Sequence, residues 1–346
     1  MAWNDIITAE NIKIYWEKDT INTPPYLGTT FFPSKKQRGL KFEYIKGKDN
    51  TPVALVSSNF DTNTLYRDRI GFEALSGTLP FFKESYYIAE TLRQEILSVK
   101  DEYIQPLLEN ILDDSSKLVT SAEVTAERMR MQLLSTGTIA IAENGVAKNY
   151  DFGFTSSKQL KTITTKWDAE GSKPLKDLND SLRAFKTLTK KTPKYVIMSD
   201  VVFTYLANDS DVLSYFQHLD NPNLYPNDSE VQSFLERKFS ITIFITNQVY
   251  KKARDFNGDD VPFYPEDRFT ILSTLDMGET LYGTTPEEAD LLGKQSKADS
   301  VAIVNTGVAI TTWSEVDPVN TNIKVSEVVL PTCPNIDLIY IVKVLA

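Results

Sequence analysis

Lys324-Val325-Ser326-Glu327-Val328-Val329-Leu330-Pro331, then Thr332-Cys333-Pro334-Asn335-Ile336-Asp337, closes on Val342-Lys343-Val344-Leu345-Ala346. From Ile323 to Ala346 this reads as two β runs parted by Pro331-Thr332-Cys333-Pro334, because valine-rich runs bounded by prolines favour strands. Upstream, residues 171–317 alternate helix and strand. Pro174 suits the first helical position, and Leu175, Leu178, Leu182 and Phe185 form a stripe. Lys194–Met198 is a short apolar strand ending in Ser199-Asp200, the start of a helix over Val201–Ala207. Asp228-Ser229 begins another helix, and Ile241–Thr246 and Phe269–Leu272 are strands. The class is α+β.

Further upstream the clearest helix runs from Thr120 to Gly137. Thr120-Ser121-Ala122-Glu123 fits a capping box, and Ala122, Ala126, Met129 and Leu133 line one face. Glu123, Glu127 and Arg130 are expected to point elsewhere, and Gly137 to close the helix. Glu143-Asn144-Gly145 predicts a type I′ hairpin turn, flanked by Ile139 and Ile141 on one side and Tyr150, Phe152 and Phe154 on the other. Before Thr120, Ile88, Leu92, Ile96 and Val99 recur at helical spacing. Pro106 interrupts the pattern, so two helices or one kinked helix are expected.

Residues 35–80 alternate as strands. Leu40, Phe42 and Tyr44 face one way, Gly47-Lys48-Asp49-Asn50 supplies a turn, and Val53–Val56 makes the return. Such a two-stranded excursion needs a surface to rest on. It is basic: Lys35, Lys36, Arg38, Lys41, Lys46 and Lys48 stand against Glu43 alone between 35 and 48. Between 255 and 290, by contrast, there are ten acids. Opposite potentials of this kind suit contacts between identical subunits, so the six basic residues are candidate inter-subunit contacts. The first 34 residues, with Thr23-Pro24-Pro25-Tyr26 and Phe31-Phe32-Pro33, read as an extended arm that buries little alone.

Composition narrows the chemistry. The 346 residues carry 37 Lys plus Arg against 47 Asp plus Glu, a net charge of −10 that disfavours groove binding to DNA. One cysteine, Cys333, permits no internal disulfide, and with one histidine, His218, it cannot build a common zinc set. Cys333 has no neighbouring base to activate it and reads as a buried inert thiol. His218 lacks an evident nucleophile and orienting acid. Asp255, Asn257, Asp259 and Glu266 stand at positions 1, 3, 5 and 12 of a calcium-type loop. Position 6 is Asp260 rather than glycine, and a hairpin tip at Asn257-Gly258 explains the same letters. Phosphate-cradling glycine motifs are absent, as are a signal peptide and a transmembrane stretch. No catalytic, cofactor or metal residue is nominated, and folding in a cytoplasm is expected.

The arm, β excursion, long helix, α+β middle and returning strands come in an order that resembles the tailed-phage major capsid proteins of the Hong Kong ninety-seven type. More specifically, the chain resembles the lambda-type capsid protein E family. The resemblance covers nearly the whole chain. It is carried by Phe31-Phe32, Leu79-Pro80-Phe81-Phe82-Lys83-Glu84, Trp313, Asp317-Pro318, the strand Lys324–Pro331, Pro334-Asn335-Ile336-Asp337 and the closing Val342–Ala346. It implies an N-terminal arm (1–34), an extended β loop (35–80), a peripheral domain with a spine helix (81–170), an axial domain (171–317) and strands returning to the peripheral domain (318–346).

The implied function is self-assembly into hexamers and pentamers of an icosahedral head. That head would enclose double-stranded DNA without sequence-specific binding, in a virion assembled in the bacterial host cytoplasm. Implied partners are a separate scaffolding protein, a portal protein and a decoration protein; no membrane and no cofactor are implied. Two alternatives remain at this point: another virion structural protein, of the tail tube or head completion, and a metal-dependent hydrolase using the Asp255–Glu266 acids.

Overall fold

The computed structural model describes residues 7–21, 23–46, 73–98, 101–217, 226–252, 259–293 and 298–346. In chain order the first elements are α1 (Ala9–Thr20), α2 (Leu27–Phe31), β1 (Ser34–Lys36), β2 (Lys41–Lys46), β3 (Glu73–Thr78), β4 (Phe81–Ile88), α3 (Glu90–Ser98) and α4 (Asp101–Thr136). There follow β5 (Thr138–Glu143), β6 (Val146–Asp151), α5 (Ser156–Gln159), β7 (Leu160–Thr162), α6 (Pro174–Thr189), β8 (Tyr195–Ser199), α7 (Asp200–Ala207) and α8 (Ser210–Phe216). Then come α9 (Asp228–Phe239), β9 (Thr242–Thr246), β10 (Val249–Tyr250), β11 (Val261–Pro262), β12 (Arg268–Leu272) and β13 (Glu279–Tyr282). The chain ends with α10 (Pro286–Leu292), β14 (Ser300–Val304), β15 (Val308–Val316), β16 (Val319–Thr332), a 3-10 turn at Ile336–Leu338 and β17 (Ile339–Lys343).

The chain divides into two compact units. The first comprises Met1–Phe42, Gly77–Arg130 and Gly278–Thr332, and the second Glu43–Ser76, Met131–Met277 and Cys333–Ala346. In the first, the sheet runs β1-β13-β16-β15-β14, with β4 also paired to β16. The 14 residues of β16 are long enough to hold β4 along Thr321–Val328 and β13 along Val329–Thr332, end to end on one edge.

In the second unit the sheet runs β7-β17-β12-β8-β9. β8 and β9 are parallel, joined through α7, α8 and α9, and β12 is antiparallel to both β8 and β17. Its core gathers the stripe Leu175, Leu178, Leu182 and Phe185 of α6 with Val196, Met198, Phe269, Ile271 and Val342. Trp167 stacks on Phe269 at 5.7 Å. Ser199 caps α7, accepting from the Val202 amide, and Asn227 with Glu230 forms a full capping box on α9.

Several boundaries differ from the sequence reading. The arm is not wholly extended. Thr8 caps α1 by accepting the Asn11 amide, and Ala9, Ile12 and Trp16 are buried on α1, which packs along β14. Leu27–Phe31 is helical as well, so proline density keeps only residues 23–26, between α1 and α2, out of helix. Ile88 ends the strand Phe81–Ile88 rather than opening the helical stripe, because this segment alternates in exposure and pairs with β16. The capping box at Thr120 does not form. Thr120 lies in the middle of α4, with its hydroxyl bonded to the Ser116 carbonyl and accepting from Trp16 Nε1. A serine or threonine bonding four residues back is compatible with a continuing helix, and packing here overrides the local start signal. Pro106 lies inside α4.

The expected cut at 317/318 falls at the tip of the β15–β16 hairpin, where Val316 pairs with Val319. The returning strands also separate: β16 joins the sheet of the first unit and β17 that of the second. β2 pairs with β3, while the return strand expected at Val53–Val56 lies outside the described residues.

The type I′ turn forms as its sequence predicts, with φ of 48° at Asn144 and 76° at Gly145. Space around Gly145 is open, so Gly145→Ala isolates the backbone term. A loss of about 1–2 kcal/mol is expected in denaturant titrations, the cost of a left-handed conformation for an L side chain. Among the described residues no helix is long and apolar enough to cross a membrane.

Candidate functional site

Two polar constellations of the first unit stand out. The first is the basic set. Because β1 runs parallel to β13, with Lys35 opposite Leu281 and Lys36 opposite Tyr282, its side chains meet the acidic stretch of the same chain. Lys35 pairs with Glu279 at 2.7 Å on the surface. Lys36 pairs with Glu288 at 2.5 Å and donates to the Gly283 carbonyl at 3.1 Å. Two of the six candidates are thus engaged within the chain, and the part of 35–80 before Gln37 belongs to the main sheet rather than to an excursion. Arg38 and Lys41 are exposed. Lys46 ends β2, and Lys48 lies outside the described residues. Lys324 and Ser326 of β16 both reach Glu287 of α10, at 2.5 and 2.8 Å.

The second constellation is buried and was missed by the sequence reading, which turned Glu123, Glu127 and Arg130 away from the core. Glu127 is 0 % and Arg130 3 % exposed. Glu127 Oε1 accepts the Gly28 amide at 2.7 Å. Arg130 donates through Nε to Thr280 Oγ1 at 2.8 Å, and through Nη1 to Thr29 Oγ1 at 3.1 Å and Glu127 Oε2 at 3.4 Å. Thr280 in turn donates to the Phe32 carbonyl at 2.8 Å. α4, α2 and β13 are therefore tied by one network, around which Phe31, Phe32, Ala126 and Met129 are buried.

Burial pushes the Glu127 carboxyl upward, against the pull of the Gly28 amide and Arg130. Burial likewise raises Glu123, opposed by a hydrogen bond from Asn305 at 2.5 Å. Burial holds Tyr282 up, at about 12. Glu327 is 2 % exposed and pushed well above the ordinary carboxylate range by burial, only partly offset by Arg130. A period-two reading offered a signal for it, since Glu327 shares a strand face with Val325 and Val329.

In the second unit, the end of α4 is closed by side chains. Thr270 Oγ1 donates to the Leu134 carbonyl at 2.8 Å, and Arg268 Nη1 to the Ser135 carbonyl at 3.0 Å. These satisfy carbonyls that a helix C-terminus leaves open. Cys333 is buried. His218 and residues 253–258 lie outside the described residues. β10, before the calcium-type loop, pairs antiparallel with β11, whose Val261–Pro262 lies inside the loop's second half. Among the described residues no group of three His, Cys, Asp or Glu could hold a metal ion.

The fold is similar to that of several phage proteins. A protein described as the capsid protein of a prophage (Escherichia coli CFT073) has a TM-score of 0.61 and 14 % identity, over 98 % of this chain and 99 % of that one. A phage-related protein from Bordetella bronchiseptica RB50 has a TM-score of 0.55 and 9 % identity, over 97 % of each chain. A cyanophage A-1(L) capsid chain has a TM-score of 0.50 and 13 % identity, over 94 % of each. No curated protein sequence matches. The architecture is thus that of capsid subunits of the Hong Kong ninety-seven type. The family model of phage major capsid protein E matches residues 12–344, and the chain belongs to that family. It is a major capsid protein, whose copies form a phage head shell as a component of the virion.

Proposed function

We propose that this chain builds an icosahedral head from hexamers and pentamers, enclosing double-stranded DNA without reading its sequence and without enzymatic activity. The observation that carries the reading is the family match over residues 12–344. A second feature supports it: the basic strand β2 is paired only with β3 among the described residues, and a two-stranded sheet is marginal in water without a surface to cover.

In this reading the first unit is the peripheral domain with most of the spine helix, now including residues 278–317, and the second is the axial domain, now including residues 131–170 and 333–346. Arg38, Lys41, Lys46 and Lys48 contact an adjacent subunit, and many weak contacts add up over a closed shell. Lys35 and Lys36 instead brace the base of the loop. A separate scaffolding protein and a portal protein are the partners, with a decoration protein on the outside, and assembly proceeds in the host cytoplasm.

Electron microscopy of the expressed chain, alone and with its phage's scaffolding protein, tests this. Uniform closed shells are expected, and Lys41→Glu combined with Lys46→Glu is expected to reduce their yield severalfold. Stable monomers in the presence of scaffold would overturn the reading.

A further inference from the structure

Glu327 carries a charge-capable group into an apolar place. Its neighbours across the sheet are Val308 on β15 and Phe82 on β4, and neither carboxyl oxygen has a hydrogen-bond partner among the described residues. Its face of β16 is the one packed on α4. Tyr86, opposite Ile323 on that face, donates to the Ile111 carbonyl, and Thr280, opposite Pro331, accepts from Arg130.

Several charged and titratable groups face it, and those of α4 and β1 are already committed. From α4, Glu127 and Arg130 bond each other, and Glu123 is held by Asn305. From β13 comes Tyr282, and from β4 Glu84, which shares this face through its pairing with Val325. Lys36 of β1 is taken by Glu288 and the Gly283 carbonyl. An ionised Glu327 therefore competes for Arg130. The same guanidinium holds Thr29, and its partner Glu127 holds the Gly28 amide.

We propose that Glu327 is a proton-gated latch on the N-terminal arm: its ionisation draws Arg130 from Glu127 and Thr29 and loosens the segment Leu27–Phe32 from α4. The sign follows from linkage. A carboxyl held above its unfolded value leaves the docked state unpenalised below the ordinary glutamate range. Docking then weakens as pH rises from that range toward the native value, because only the docked state still binds the proton. The steepest slope is tenfold per pH unit, about 1.4 kcal/mol.

Amide hydrogen exchange of the unassembled subunit tests this independently of shell geometry, followed from about pH 5 to about pH 9 and corrected for intrinsic exchange. Protection of the Gly28 amide and of residues 27–32 is expected to fall with pH, by up to tenfold per unit, in the native chain. Glu327→Gln and Glu327→Met are both expected to flatten that fall, the second serving if the first does not fold. Flat protection in the native chain would overturn the latch. So would a slope that survives in the variants, or one shared equally by β15 and β16.

Discussion

Arg130→Met is expected to destabilise the first unit by about 3–5 kcal/mol, the usual cost of removing one partner of a buried ion pair. Arg130 is 3 % exposed, and its three contacts, Thr280, Thr29 and Glu127, lie on three different elements. Methionine fills much of the volume and keeps helix propensity, so the loss isolates the guanidinium. What it leaves behind is the expensive part: Glu127, at 0 % exposure, keeps only the Gly28 amide among the contacts described above.

Combining Arg130→Met with Glu127→Met removes the stranded carboxyl as well. The double variant is therefore expected to be more stable than the single one, a coupling that a double-mutant cycle reads directly. Urea titration of the unassembled subunit is the measurement. A loss below about 1 kcal/mol for Arg130→Met would mean that this network contributes little to stability.

Gly28→Ala sets two physical terms against each other. Gly28 lies within helix α2, where alanine improves propensity by up to about 1 kcal/mol. A Cβ there would stand 2.5 Å from Glu127 Oε2 and 2.8 Å from Arg130 Cβ. Overpacking of this kind costs about 1–3 kcal/mol, and disrupting the 2.7 Å bond from the Gly28 amide to Glu127 adds about 1–3 more. The clash prevails, and a net loss of about 2–4 kcal/mol is expected, with the arm leaving α4 first. Hydrogen exchange over residues 27–32, with a denaturant titration, measures both. A neutral or more stable variant would show that the arm does not dock on α4.

The parts of this fold that were legible beforehand are those whose physics is local. The stripe of α6, the serine cap of α7, the Asn144-Gly145 turn and the two closing β runs each follow from spacing or turn chemistry within a dozen residues. The order of such elements was enough for the family resemblance. Local signals fail where packing at long range outvotes them. Thr120 reads as a helix start, yet the helix begins at Asp101 and the hydroxyl serves Trp16 instead. Ala9–Thr20 has a weak apolar pattern, and it is helical with a buried face laid along β14.

The candidate site divides in the same way. Composition and order alone establish that this is an α+β chain poor in catalytic side chains, acidic overall, with a basic segment near its start. Which of those charges meet is set by strand pairing across some 245 residues, as in the parallel register of β1 on β13 that brings Lys35 to Glu279. The burial of Glu127, Arg130 and Glu327 is of the same kind. In sequence a glutamate on a helix reads as solvated, because burying its charge is costly. Only the closure of the arm and sheet over α4 supplies the partners that make it bearable for Glu127, and withholds them from Glu327.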